Sequence, residues 1–230
     1  MGATAVVAAL TLITAILCGC QTIVSTAPTQ TMVRVIDASY NAPAVDVKVG
    51  GTAIAADVGA ATFTNYAFLP AENATAYVSA TGTATPIVQA QGEFEVAQQH
   101  SVFITDSGGS YGAAILADQA TAAPAGYFSI RFLQQAVKAG GVDIYLVPGA
   151  DTLAGTRALF SNARPESVES YVNVPSGMYT LVVTPAGVLT TPYTSAALTF
   201  TDGEVRTAVI MDAQLTTNPP VTVVMGDDVN

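Results

Sequence analysis

Four side chains that could form ion pairs or bind ligands recur at a fixed spacing. Arg34 and Arg131 are 97 positions apart, and so are Asp46 and Asp143. Because arginine binds carboxylates through two parallel hydrogen bonds, we predict an Arg34–Asp46 pair in one half of the chain and an Arg131–Asp143 pair in the other. Alternatively, each aspartate could contact calcium or another ligand, accept hydrogen bonds from a neighbouring loop backbone, or protect an exposed strand edge.

Few other residues could do catalytic work. His100 is the one histidine, and no G-x-S-x-G, H-E-x-x-H or other nucleophile motif accompanies it. We expect it in a solvated turn beside a strand. One histidine and two cysteines are too few ligands for a zinc or iron site. We therefore predict no catalytic residue, no metal and no cofactor.

The composition indicates a folded, β-rich protein with an acidic surface. Only 10% of the 230 residues are charged and 50% are apolar, while 19 glycines and 12 prolines supply many turns. The net charge of −10 argues against the basic patches that nucleic acid requires and against attraction to anionic lipid. We therefore predict no nucleic-acid partner and expect any membrane attachment to depend on a hydrophobic anchor.

The N-terminus carries a motif typical of such an anchor. Residues 3–17 are an uncharged apolar run with the length of a signal-peptide core. The run ends in Leu17-Cys18-Gly19-Cys20, which resembles a lipobox. The resemblance implies that residues 1–19 are a lipoprotein signal peptide and that Cys20 is lipidated after cleavage. A plain secretory signal and an uncleaved anchor helix are the alternatives, and the lack of Lys or Arg before the run departs from the usual pattern.

Lipidation of Cys20 would also predict where the protein works. Gln21 is not the aspartate that usually retains lipoproteins at the inner membrane, so the resemblance favours the outer membrane, with domains facing the periplasm or exterior. Cys18 would leave with the signal, so the mature chain would have no disulfide. Residues 20–31 are mostly small and polar, and would form a tether.

An internal repeat predicts two similar domains. Val33–Ile36 (VRVI) recurs as Ile130–Leu133 (IRFL), and Val45–Val47 (VDV) recurs as Val142–Ile144 (VDI), both 97 positions later. A repeat of this length is a whole small domain. We predict a first β-sandwich over residues 32–118, a linker over 119–126, a second β-sandwich over 127–217 and a C-terminal tail over 218–230.

Short strand signals separated by turn residues run through both copies, as is typical of β-sandwiches. In the first copy we predict strands at Met32–Asp37, Ala44–Val49, Thr52–Val58, Phe63–Phe68, Thr75–Ala80, Ile87–Val96 and Ser101–Thr105. In the second copy we predict strands at Tyr127–Leu133, Gly141–Leu146, Tyr171–Val174, Gly177–Thr184, Leu198–Phe200 and Val205–Met211. Residues 150–167 are predicted to form a longer loop with one helical turn near 153–160.

Residues 33–51 (VRVIDASYNAPAVDVKVGG) resemble the signature of the domain of unknown function 4397 family. The resemblance covers residues 32–118 and, with more differences, 126–216. It implies an all-β chain of two tandem Ig-like antiparallel β-sandwich domains after a signal peptide, in a family that is largely secreted and often lipid-anchored. The family has no established activity, and Asp37 stands where it often has histidine.

Together these features predict a cell-envelope lipoprotein that is not an enzyme. We expect it to bind an envelope protein or a glycan through loops or strand edges. A structural or adhesin-like spacer is the alternative, and a hydrolase is least favoured because the usual acid, base and metal groups are missing. Tyr40, Tyr66 and Tyr111 could contact a sugar ring, or could pack in the core or at a strand edge.

Overall fold

The computed structural model describes residues 29–40, 42–106, 110–190, 193–213 and 221–229. The predicted signal peptide, Cys20 and most of the tether lie outside these residues. Within them the regular secondary structure is β-strand, apart from one 3-10 turn at Leu153–Gly155. In the same ranges, no helix has the length and apolar character that crossing a membrane would require. The prediction of an all-β fold is confirmed.

Eighteen strands in the described residues form two sets of nine in matching order. The first set is β1 (Gln30–Asp37), β2 (Val45–Val49), β3 (Thr52–Val58), β4 (Thr62–Phe63), β5 (Ala67–Pro70), β6 (Asn73–Ala80), β7 (Pro86–Glu93), β8 (Gln99–Thr105) and β9 (Gly112–Asp118). The second set is β10 (Tyr127–Gln134), β11 (Val142–Pro148), β12 (Phe160–Ala163), β13 (Ser167–Val168), β14 (Val172–Pro175), β15 (Gly177–Pro185), β16 (Tyr193–Phe200), β17 (Val205–Asp212) and β18 (Val221–Asp227).

Each set folds into a sandwich of two sheets. In the first sandwich, sheet A contains β1, β4, β5, β8 and β9, and sheet B has the order β3-β2-β6-β7. In the second, sheet C contains β10, β13, β14, β17 and β18, and sheet D has the order β12-β11-β15-β16. Strand pairing is antiparallel except between β1 and β8 and between β10 and β17, which are parallel. The two predicted sandwiches are confirmed, and each has the same parallel pair at its centre.

The four sheets stack in the order B, A, C, D. Sheet A packs on sheet B through residues such as Val33 and Val102. Its other face meets sheet C, where Ile36 and Phe103 pack against Leu133 and other residues of the second sandwich. Because both faces of β1, β8, β10 and β17 are covered, these strands are buried almost continuously instead of at every second residue.

One connection differs between the two sandwiches. Strands β2 and β3 are joined by Gly50 and Gly51, whose φ angles of 56° and 88° are those that a tight two-residue hairpin requires. The equivalent connection between β11 and β12 runs over residues 149–159 and contains the 3-10 turn. This longer connection lies against the outer face of sheet D, where Leu153 packs on a cluster that contains Tyr145.

Three expectations about strands are corrected. Residues 218–230 are not a tail, because Val221–Asp227 pairs with β17 along its length. Gly112–Asp118 also forms a strand, which pairs with β8. Phe160–Ala163, expected in a loop, pairs with β11, and the helical turn is limited to Leu153–Gly155. Gly112–Asp118 is rich in small residues and Phe160–Ala163 is short, so their local preference is weak and pairing with a neighbouring strand decides their structure. Val221–Asp227 (VTVVMGD) instead carries the valines and threonine that are typical of strands.

Candidate functional site

A crossed pair of arginine–aspartate contacts joins the two sandwiches. Arg34 on β1 donates from Nη2 to Oδ1 of Asp228, which directly follows β18. Arg131 on β10 donates from Nη2 to Oδ1 of Asp118, the last residue of β9. Each arginine also donates from Nη1 to a backbone carbonyl beside its aspartate, Asp227 at 2.5 Å and Ala117 at 2.9 Å. Arg34 therefore binds the last strand of the other sandwich, and Arg131 does the same in return.

Hydroxyl groups on the parallel strands link the two ion pairs. Arg34 Nε donates to Ser101 Oγ at 2.8 Å, and that hydroxyl donates to Asp118 Oδ2 at 2.7 Å. In the second sandwich Arg131 Nε donates to Thr207 Oγ1 at 2.9 Å, and Thr207 donates to Asp228 Oδ2 at 2.6 Å. The side chains are 1% exposed for Arg34, 3% for Arg131 and 0% for both aspartates. The whole arrangement is therefore out of contact with bulk water.

Two tyrosines complete this group, which we call the crossed cluster (Arg34, Tyr66, Ser101, Asp118, Arg131, Tyr171, Thr207 and Asp228). The ring centroid of Tyr66 lies 4.8 Å from Arg34 Cζ, and that of Tyr171 lies 4.7 Å from Arg131 Cζ. Their hydroxyls donate to Asp118 at 2.8 Å and to Asp228 at 2.6 Å. Burial, together with the neighbouring carboxylates, raises the pKa of both tyrosines. Both phenols therefore stay protonated and act as donors.

The crossed cluster is electrically balanced, with two guanidinium and two carboxylate groups. Burial alone would lower the pKa of Arg34, but Asp228 and Asp118 raise it above its ordinary value. Breaking either ion pair would leave a charge buried without its partner. The crossed cluster is therefore suited to hold the two sandwiches in one relative position.

The predicted Arg34–Asp46 and Arg131–Asp143 pairs are wrong. Asp46 accepts from the backbone N–H groups of Asp57 at 2.9 Å and Gly82 at 3.0 Å. Asp143 likewise accepts from two backbone N–H groups, that of Asn162 in β12 at 2.7 Å and that of Gly187 at 2.8 Å. Strand alternation places these aspartates on the outer faces of sheets B and D, whereas the arginines point to the interface between A and C. The backbone hydrogen bonds from Gly82 and, next, from Asp57 lower the pKa of Asp46.

The expectation for His100 is also corrected. It lies in β8, is 3% exposed and packs edge-on against Phe94 with ring centroids 5.4 Å apart. Its Nδ1 lies 3.1 Å from the hydroxyl of Thr31, and burial lowers its pKa. Tyr66 is taken up by the crossed cluster, and the Tyr40 ring lies 4.2 Å from Lys138 Nζ. In the described ranges, no group of three or more His, Cys, Asp or Glu could hold a metal ion.

A second feature, missed by the sequence analysis, is an open cavity of about 340 Å³ on the outer face of sheet B. Lys48 on β2 lies directly opposite Tyr77 on β6, and Asp46 lies opposite Ser79. The cavity is lined by these residues and by Gly51, Thr83, Ala84 and Pro86. Asp46 shapes it by holding the β6–β7 loop through Gly82. The sequence signal that could have revealed this face is the alternation of side chains along β2, which puts Lys48 on the same face as Asp46.

The corresponding face of the second sandwich is closed. At the positions of Lys48 and Tyr77 stand Tyr145 and Val182, which pair across β11 and β15. Both are buried in a small apolar cluster with Val147, and the long β11–β12 connection covers this cluster through Leu153 and Ala158. The duplicated fold therefore presents an open polar cavity in one copy and a covered apolar face in the other.

Comparisons with known proteins give a family and no activity. The family model described as "Domain of unknown function (DUF4397)" matches residues 31–145, which is half of the chain. No curated protein matches the sequence. Among solved structures, a chain titled "The Bacillus anthracis TIE protein" is similar at 9% identity with a TM-score of 0.25, over 80% of this chain and 34% of that one. This chain thus spans about a third of that protein's length, and the likeness is too weak to support any inference about function.

Proposed function

Because the chain belongs to the domain of unknown function 4397 family, whose name states no activity, we propose that it is a non-catalytic binding module of the cell envelope, anchored by lipid on Cys20. The observation that carries the proposal is the crossed cluster. Its arginines, aspartates and tyrosines bond to one another between the sandwiches and are shielded from any substrate. Recognition would therefore use the accessible loops, sheet faces and strand edges.

The interface between the sandwiches supports a binding role because it fixes how those surfaces are displayed. Apolar side chains from both sandwiches, including Ile36, Phe103 and Val209, pack beside the crossed cluster. Ionic groups in such a place are satisfied only in one register, since any sliding of the sheets would leave buried charges unpaired. A pre-ordered surface loses less entropy when a partner binds.

A structural spacer at the cell surface is the second candidate. Four sheets stacked in one register form a stiff body, which also suits a role that only sets a distance from the membrane. The two candidates differ in a measurable way, since a spacer needs no specific partner on its outer surfaces.

The anchor is tested by the intact mass of the mature protein extracted from membranes. A chain that begins at Cys20 and carries acyl groups supports the proposal. Cys20→Ala should abolish the acyl mass, whereas the matched Cys18→Ala variant, two residues earlier, should leave it unchanged. A mature N-terminus elsewhere, or a mass without acyl groups, would overturn the anchoring.

The binding role is tested by crosslinking on intact cells followed by purification of the tagged protein under denaturing conditions. One protein or glycan recovered in stoichiometric amount supports the binding module. A substitution at an exposed residue that abolishes recovery of this partner, without lowering the unfolding midpoint, would locate the contact. Recovery of the chain alone, at several crosslinker lengths, would favour the spacer.

A further inference from the structure

We propose that the cavity on the outer face of sheet B binds an uncharged sugar ring of a glycan, with Tyr77 as its platform. This inference rests on the proposed binding function and gives it a site and a ligand class. A sugar ring has an apolar C–H face and a rim of hydroxyls, so it needs an aromatic surface beside mixed donors and acceptors. The cavity supplies these through Tyr77, which is 38% exposed, and through Lys48, Asp46, Ser79 and Thr83.

The two copies of the fold differ at this outer face, which is open and polar in the first sandwich and covered in the second. In the second sandwich, Tyr145 and Val182 turn the equivalent surface apolar, and an eleven-residue connection (149–159) packs over it. In the first sandwich the connection is only Gly50 and Gly51, and the opposed residues are Lys48 and Tyr77. A face that served packing alone would be closed in both copies, whereas here a tyrosine and a lysine stay open to solvent.

The charges around the cavity favour an uncharged ligand over an anionic one. Lys48 and the buried Arg34 are the two basic residues of residues 32–118. Asp46 lines the same cavity, so a donor and an acceptor stand side by side. The acidic chain, at −10 overall, would repel a polyanion. Hydroxyls suit this site because each can accept from Lys48 or donate to Asp46.

The cavity is also shaped before any ligand arrives. Asp46 holds the β3 backbone at Asp57 and the β6–β7 loop at Gly82, which leads to Thr83 and Ala84 in the wall. Each carboxylate oxygen accepts one of these bonds and the Thr81 side chain supplies a third, which leaves about one lone-pair site for a ligand hydroxyl. Asp46 is thus a positioning residue as well as a direct contact, and a pre-formed wall reduces the entropy lost on binding.

The test is calorimetric titration of the full-length, detergent-extracted chain with cellohexaose, mannohexaose and chitohexaose, and with polygalacturonate as an anionic probe. We expect at least one uncharged oligosaccharide to bind. Tyr77→Ala should weaken that binding by about tenfold or more, because it removes the stacking surface. The matched control Tyr127→Ala, at a tyrosine of 41% exposure outside the cavity, should leave the Kd unchanged.

Each other outcome overturns the inference in a recognisable way. If no uncharged sugar binds while crosslinking still captures a protein partner, the inference fails and the proposed function survives. Binding that persists in Tyr77→Ala would place the sugar elsewhere. Preference for polygalacturonate that disappears in Lys48→Met would replace the ligand class with an acidic one. Equal unfolding midpoints for Tyr77→Ala, Tyr127→Ala and the parent chain would show that a loss of binding in Tyr77→Ala is not caused by unfolding.

Discussion

Asp228→Ala should destabilise the protein far more than a change at the adjacent acid. The Asp228 carboxylate is fully buried and accepts from Arg34, from Tyr171 at 2.6 Å and from Thr207 at 2.6 Å. Truncation removes these three bonds and leaves the Arg34 guanidinium buried with only the more distant carboxylate of Asp118, at 3.7 Å from Nε. Removing one partner of a buried pair costs about 3–5 kcal/mol.

The matched control for this change is Asp227→Ala, one residue earlier. The Asp227 side chain is 56% exposed and pairs with Arg206, which is 25% exposed, at 2.6 Å. An exposed pair of this kind contributes about 0–1 kcal/mol. The control also keeps the backbone carbonyl of residue 227, to which Arg34 donates. The two variants thus separate the buried contact from a general effect of losing one acid.

The assay is urea unfolding followed by circular dichroism, with the free energy of unfolding extrapolated to water. We expect a loss of about 3–5 kcal/mol for Asp228→Ala and about 1 kcal/mol or less for Asp227→Ala. Asp118→Ala should match Asp228→Ala, because Asp118 holds the equivalent position against Arg131. Equal losses for Asp228→Ala and Asp227→Ala would refute the reasoning about the crossed cluster.

Three further predictions concern single positions. Burial lowers the pKa of His100 in the folded state, so the unfolded chain takes up its proton first, and stability should fall as the pH drops below about 6.5. Between pH 7.5 and 5.5 the unfolding midpoint of His100→Gln should change less with pH than that of the parent chain. An equal pH dependence in the two chains would show that His100 is not its source. Burial raises the pKa of Asp37, whose Oδ2 has no hydrogen-bond partner among the described residues. Asp37→Asn should therefore become more stable than the parent chain, by about 1 kcal/mol, as the pH rises through that raised pKa. Thermal melts of both chains at pH 4 and pH 7 test this, and a stability difference that does not grow with pH would contradict it. A Cβ at Gly226 would collide with the ring of Phe63 from the other sandwich, so Gly226→Ala should cost about 1–3 kcal/mol. Gly59→Ala, with nothing nearby, is its control in urea unfolding, and equal losses would argue against close packing there.

Much of the architecture was predictable because local pattern controls it. The recurrence of VRVI as IRFL and of VDV as VDI predicted two copies of one fold, and both are present. Strand alternation also correctly separated Asp46 and Asp143 from the apolar residues beside them. Two strands that were missed, β9 and β12, are rich in small residues or short, so their local preference is weak and pairing with a neighbouring strand decides. The third, β18, carries the valines and threonine of a strand, so local pattern could have identified it.

The partners of the arginines were decided by tertiary structure alone. The repeat marked Arg34 and Arg131 as equivalent, but alternation says only that a side chain leaves one face of a strand, not which sheet covers that face. Packing of sheet A on sheet C brings each arginine to an aspartate at or just after the end of the other sandwich's last strand, 194 positions away for Arg34 and 13 for Arg131. Desolvation and charge pairing depend on that contact between the sheets. The sequence could therefore identify the two arginines, but it could not identify the aspartates that they bind.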